Sequence, residues 1–178
     1  MKGKFGASVV IRILMWFAFI FGGAALGFSL DFRFFPSLVK SVSFHVVSFL
    51  LGALLMKAVL TVSKNTGRTL AKYGRQGELP RMETNRLATE GVYSKMRHPM
   101  HLGLFFAPLA FALIIGSPSF IFFIAPAEAL FMYILVITLE EKEAIRKFGD
   151  EYLRYKEKVP GFCLKMDCIK KLFEKVEK

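Results

Sequence analysis

The sequence predicts an all-α polytopic membrane helix bundle with about four transmembrane helices, and three observations carry that prediction. Hydrophobic residues make up 54% of the 178 residues, with 20 Phe and a mean hydropathy of +0.44, too apolar for an ordinary soluble domain. Four apolar runs approach the ~20 residues that a bilayer core requires. Lys and Arg total 25 against 14 Asp and Glu, a net charge of +11. They gather in one long polar segment and a tail separated by an even number of apolar runs, as cytoplasmic faces require.

The first run spans about Ser8 to Leu30 and follows Lys2 and Lys4. That start resembles a secretory signal, but no small-x-small cleavage site with a polar flank follows, so the run is expected to remain as a transmembrane helix. Arg12, near its cytoplasmic end, is expected to snorkel to the headgroups. A loop from Asp31 to Ser41 carries Arg33, Pro36 and Lys40. The second run covers about Val42 to Val62; His45 and Lys57 lie near its ends and read as interfacial. Ser63 to Met96 is the long polar segment, in which Gly67, Gly74, Gly77 and Pro80 predict an irregular loop. Its Gly74-Arg75-Gln76-Gly77 lacks the lysine and the preceding strand of a phosphate-binding loop.

The third run, Leu102 to Ile115, is short and gains length if its helix begins at Pro99. Gly116 stops it, and Ser117 as N-cap with Pro118 in the first turn starts the fourth run at once, predicting a tight hairpin. The fourth run extends from about Phe120 to Leu139 and contains Glu128, a carboxylate expected to face other helices rather than lipid. Beyond it, Ala144, Ile145 and Phe148 recur at helical spacing, Gly149 predicts a stop and Asp150 an N-cap. Tyr152, Leu153 and Tyr155 continue a further short helix toward Pro160. The basic tail places Ile169, Leu172, Phe173 and Val176 at helical spacing and predicts an amphipathic helix lying along an anionic membrane surface.

The charge excess points to lipid headgroups and not to nucleic acid, because the basic residues flank apolar runs. Cys163 and Cys168 are the two cysteines, and without further thiols or clustered histidines no metal site is expected; both read as reduced cytoplasmic thiols.

The chemistry concentrates in Gly91-Val92-Tyr93-Ser94-Lys95-Met96-Arg97-His98-Pro99-Met100-His101-Leu102-Gly103, a polar cluster at the mouth of a membrane helix. Arg97 supplies a permanent forked cation, and His98 and His101 donate or accept near neutral pH. Pro99 suits a first helical turn. The tight hairpin brings Glu140 and Glu141, at the end of the fourth run, to the same membrane face. Cations from one segment and carboxylates from the other then surround a zwitterionic ligand, with Tyr93, Tyr152 and Tyr155 as amphipathic walls.

These motifs, Gly91-Val92-Tyr93, Arg97-His98-Pro99, Glu140-Glu141, Phe148-Gly149-Asp150-Glu151-Tyr152, Tyr155 and Val159-Pro160, resemble in order and spacing the signature half of the isoprenylcysteine carboxyl methyltransferase family. Asn85 to Glu90 resembles the segment that precedes them. Phospholipid amine methyltransferases and the C-terminal part of sterol reductases carry related patterns. The resemblance implies a single membrane methyltransferase-like domain over residues 1–178: two N-terminal spans (1–62), a cytoplasmic loop (63–98), a helical hairpin (99–139) and a cytoplasmic C-terminal segment (140–178). It implies S-adenosylmethionine as cofactor, a site facing the cytoplasm, and a lipophilic or lipidated acceptor such as an isoprenylcysteine carboxylate. Tyr93, His98, Pro99, His101, Glu140, Glu141, Tyr152 and Tyr155 are then the expected cofactor-binding residues, and Arg97 and Glu141 the expected catalytic ones. His101 departs from the family's usual Arg-His-Pro-x-Tyr. A lipid-amine methyltransferase, a nicotinamide-dependent reductase relative and a non-catalytic membrane interaction protein are the competing readings; oligomeric state is left open.

Overall fold

The computed structural model describes residues 7–79 and 83–174. The Arg12 side chain and Lys2, Lys4, Pro80, Arg81 and Val176, all used in the sequence reading, lie outside what is described. The described residues form helices α1 (Ala7–Phe34), α2 (Pro36–Val39), α3 (Val42–Tyr73), α4 (Pro99–Leu104), α5 (Ala107–Ile115), α6 (Ala125–Leu135), α7 (Glu141–Phe148), α8 (Asp150–Lys158) and α9 (Met166–Phe173). Two π-helical turns, Phe120–Ile124 and Val136–Glu140, flank α6. Three helical stretches, Leu14–Phe34, Val42–Tyr73 and Phe120–Phe148, are long and apolar enough to cross a bilayer, and Pro99–Ile115 is a shorter apolar helix. The protein is a multi-pass membrane protein, and its four apolar segments fall where the hydropathy places them.

Three boundaries move. The expected loop from Asp31 to Ser41 is mostly helical, because α1 runs on to Phe34 and Pro36 opens the short α2. The second helix does not end at Val62 but runs to Tyr73, through Gly67. The extension buries Val62, Asn65, Thr66 and Thr69 along one face. The Thr66 hydroxyl donates to the Val62 carbonyl at 2.8 Å and the Thr69 hydroxyl to that of Asn65 at 3.0 Å, so the buried polar atoms are satisfied within the helix. Burying this face outweighs the ~1 kcal/mol that a helical glycine costs. The third helix is interrupted at Phe105–Phe106, because Pro108, in the first turn of α5, has no N–H to continue the ladder.

The chain divides into two compact units. One comprises residues 11–59 and 104–134. Its packing depends on close backbone approach: a Cβ on Gly52 would stand 2.7 Å from the Ile114 nitrogen, and one on Gly23 would stand 2.7 Å from both the Glu128 carboxylate and the Phe120 ring. Two of its buried polar side chains are answered by backbone. Asp31 accepts the Ser119 N–H at 2.7 Å, and the Ser48 hydroxyl donates to the Leu113 carbonyl at 2.6 Å. Glu128 is buried, as expected, with one carboxylate oxygen lacking a hydrogen-bond partner. Gly116 turns the chain at φ +68° between α5 and the next helix, and the Phe120 N–H meets the Ser117 hydroxyl at 3.4 Å, the expected cap. His45 packs against Gly116 and contacts the Val39 carbonyl at 2.9 Å.

The other unit comprises residues 60–103 and 135–178 together with residues 7–10. Its core joins Val62, Ala88, Val92, Tyr93, Met96 and Leu172 with Cys163 and Cys168. After α3 stops at Gly74, the N–H groups of Asn85 and Arg86 return to the Gly74 carbonyl at 3.1 and 3.2 Å. The Asn85 side chain pairs with both backbone groups of Gln76 at 2.8 Å, giving the polar segment a fixed turn.

Gly149 ends α7 at φ +54° and absorbs the break itself, so Asp150 is already helical and acts on the helix dipole without serving as the N-cap. In α9, Cys168 and Leu172 face the protein core, and Asn65 donates to the Leu172 carbonyl at 3.1 Å. The amphipathic face read from the sequence is therefore partly spent on protein. The cysteines are not the free thiols expected: Cys163 and Cys168 form a disulfide, because the start of α9 folds back to bring their Cα atoms to 5.9 Å.

Gly116→Ala is expected to destabilise the protein by about 1–2 kcal/mol from its left-handed backbone alone, and by more because the new methyl meets the His45 ring. Gly22→Ala, where a Cβ meets nothing within 4 Å, should leave the thermal midpoint in detergent unchanged or raise it.

Candidate functional site

The sequence-predicted residues converge within the unit that contains residues 60–103 and 135–178. A 3₁₀ turn over Gly91–Ser94 buries Val92 and Tyr93. The next residues run alongside the segment after α8: the Arg97 N–H donates to the Pro160 carbonyl at 2.9 Å, and the His98 N–H to the Gly161 carbonyl at 3.0 Å. Pro99 then opens α4, with the Leu102 N–H bonded to the His98 carbonyl at 3.1 Å. One turn along, His101 presents its ring on the same side.

From the other direction comes the π-helical turn Val136–Glu140. Such a turn inserts an extra residue into the helical register and re-aims the side chains that follow. Glu140 and Glu141 consequently take different partners. Glu141, only 8% exposed along its side chain, receives Arg97 through Nε at 3.1 Å and through Nη2 in a close ion pair. Its other oxygen is paired with Lys156, and the His98 Nε2 lies 3.2 Å from its first. Glu140, half-buried, stands 3.1 Å from His101 Nε2.

Arg97 is not a free anion grip. Its remaining donors go to the carbonyls of Val159 and, at 3.3 Å, Lys156, at the end of α8. The guanidinium thus ties three pieces of chain together, a use to which a fork of five donors is suited and a lysine is not. Tyr155 is also committed, its hydroxyl donating to the Tyr93 carbonyl. Tyr152 packs edge-on against Tyr155 at 6.1 Å, and its buried hydroxyl faces the Arg97 guanidinium. Burial pushes the Tyr93 and Tyr155 phenols above their ordinary range, keeping both protonated. Burial also lowers the His98 pKa from its ordinary value, against the opposing pull of its hydrogen bond to Glu141, so that ring is neutral at pH 7.

Sequence reasoning missed Lys156, one basic residue among many, and the carbonyls of residues 156 and 159–161, which have no side-chain signature. It also missed Phe162, whose ring lies 5.6 Å from that of His98. Of the expected residues, Arg97, His98 and Glu141 form one network, which Lys156 joins; His101 and Glu140 form a second pair at its edge, and Tyr93, Tyr152 and Tyr155 back them.

A model of the phospholipid methyltransferase family matches residues 43–151, which include most of this site. The chain is 31% identical to the protein-S-isoprenylcysteine O-methyltransferase of Homo sapiens over 140 residues, 76% of this chain and 46% of that protein. It is 29% identical to the Xenopus laevis protein of the same name, over 75% of this chain and 45% of that one. It is 28% identical to protein-S-isoprenylcysteine O-methyltransferase B of Arabidopsis thaliana, over 78% and 68%. The chain thus spans about half the length of the vertebrate relatives. A solved structure of a eukaryotic intramembrane Ras methyltransferase matches 84% of this chain and 52% of that one, at 24% identity and a TM-score of 0.44.

The network predicts an asymmetry in stability. Glu141→Ala leaves the Arg97 guanidinium buried without its carboxylate and should cost about 3–5 kcal/mol. Lys156→Ala, which removes a side chain 43% exposed, should cost less than about 1 kcal/mol. Thermal unfolding in detergent checks the order.

Proposed function

The chain belongs to the phospholipid methyltransferase family, and on that premise we propose that it is an integral membrane S-adenosylmethionine-dependent methyltransferase acting on a lipophilic acceptor. The observation that carries this reading is the meeting of Tyr93 to His101 with Glu140 to Tyr155 in one unit. Its edge combines imidazole, carboxylate and a buried phenol. The similarity to protein-S-isoprenylcysteine O-methyltransferases supports an isoprenylcysteine-type carboxylate as first acceptor. The family description favours a lipid amine as the second. The basic segment 63–96 supports a site on the cytoplasmic face.

The donor set fits the cofactor. His98, His101, Glu140 and the buried Tyr152 hydroxyl supply the donors and acceptors that an aminocarboxylate and a ribose require, with Pro99 and Tyr93 shaping the wall. S-adenosylmethionine, when bound, supplies an electrophilic methyl group on a sulfonium. Arg97 and Glu141 act as positioning residues, since their mutual pairing fixes His98 and the end of α8 before any ligand arrives. A carboxylate acceptor is ionised at pH 7 and requires no base. An amine acceptor requires one, and neutral His98 suits that role better than Glu141, which two cations hold in its ionised form.

His98→Ala and Tyr152→Phe should weaken S-adenosylhomocysteine binding in calorimetry while keeping the wild-type melting profile; unchanged affinity in both rejects the residue assignment. Arg97→Lys should lower turnover, and a fully active variant would leave Arg97 with only a topological charge. In acceptors matched for head group, each methylene removed from the tail should cost on the order of 0.8 kcal/mol of binding. Equal turnover of a tailless analogue rules out access to the site from the bilayer.

A further inference from the structure

His98, His101 and Glu140 each present one donor atom, and the three atoms lie within 4.8 Å of one another. His101 Nε2 and Glu140 Oε2 are already 3.1 Å apart, close to the ~3.3 Å between two ligands on a tetrahedral ion with metal–ligand bonds of about 2.0–2.1 Å. The arrangement has a structural origin. The two histidines are one helical turn apart where α4 begins, and the π-helical turn ends on Glu140. His98 is buried and the other two half-buried, so the cluster is fixed on one side and open on the other. With Nδ1 as the His98 ligand atom, Glu141, 3.2 Å from its Nε2, takes the place of the outer carboxylate that orients a metal-binding imidazole.

The geometry points to a transition-metal site of two imidazoles and one carboxylate, taking Zn2+ and leaving further coordination positions open. Nitrogen-rich donors of this kind favour Zn2+ and its neighbours over Mg2+ or Ca2+, which demand oxygen. Sequence spacing did not reveal the cluster, because Glu140 lies far along the chain from the histidines. His101 is the distinguishing residue, standing where the resembled pattern has tyrosine, a much poorer zinc ligand. The site stands without the methyltransferase reading. Its consequence, that metal and methyl donor compete for the same three side chains, rests on that reading.

The test titrates the full chain in detergent, with any affinity tag removed and no nucleoside present, using Zn2+ by calorimetry and Co2+ by visible absorption. A single ion should bind per chain. His101→Ala and Glu140→Gln should each weaken Zn2+ binding by at least about tenfold, the lower end of what even outer carboxylates contribute. Glu143→Gln, which alters an exposed carboxylate on α7, should leave binding unchanged, and circular dichroism reports that each variant is folded. A wild-type protein that takes up no metal, or folded variants that bind it equally well, overturns the site. Repeating the titration with saturating S-adenosylhomocysteine separates the two readings. Weakened Zn2+ binding supports the shared edge, whereas unchanged binding in wild type with defective variants removes the cofactor assignment and leaves the metal site standing.

Discussion

The site unit depends on one buried carboxylate. Glu141 sits in low dielectric with Arg97 on one oxygen, Lys156 on the other and His98 alongside. A single ionised group in such a place costs several kcal/mol to desolvate, and only close, well-directed cations offset it. Those partners come from two pieces of chain: Arg97 and His98 from the segment before α4, and Lys156 from α8, which runs on to Val159 and Gly161. Satisfying Glu141 is therefore the same event as assembling the site. Arg97 extends the effect, since its remaining donors close the carbonyls at the end of α8. The interaction contributes specificity of arrangement more than net stability.

The neighbouring carboxylate shows what the π-helical turn accomplishes. Consecutive residues on a regular helix point about 100° apart, so Glu140 and Glu141 are directed to different nearest neighbours. The wide turn over Val136–Glu140 sets where that divergence falls, directing Glu141 inward to Arg97 and Glu140 to the edge at His101. One carboxylate is saturated by its cations; the other pairs with the His101 imidazole in a half-buried position. On the proposed reading, the chemistry offered to a ligand lies with His98, His101, Glu140 and Tyr152, and not with the most conspicuous charge, Arg97.

That division explains what was legible in the sequence. In a chain this apolar a charged residue is expensive unless it is answered, so Arg97, His98, Glu140 and Glu141 stood out and their meeting could be inferred from a tight turn at Gly116. The identity of the answering groups could not. Arg97 spends its donors on backbone carbonyls, which are the same for every residue type, and Lys156 looks like any lysine of a solvated helix face. The overrun of α3 to Tyr73 was hidden for a related reason. Thr66 and Thr69 lie in the polar segment that its glycines and Pro80 mark as irregular, but they satisfy their hydroxyls within their own helix and so behave as small core residues. The Cys163–Cys168 disulfide requires a backbone reversal that spacing alone does not specify.

The unit of residues 11–59 and 104–134 is held by different physics. Apolar side chains gain little by leaving lipid for protein, so close packing must supply the attraction. Gly23 and Gly52 supply it by admitting atoms where any side chain would collide. Large apolar residues such as Phe17, Phe28, Leu50, Leu54 and Leu130 point outward, the reverse of a soluble protein and the arrangement a bilayer solvent favours. Polar groups inside it are few, and Asp31, Ser48 and His45 each meet a backbone group, as hydrocarbon surroundings demand. Hydropathy alone recovers these helices because lipid imposes one requirement on every residue they expose. The site unit answers to several requirements at once, and there each residue has to be followed to its partner before its role can be read.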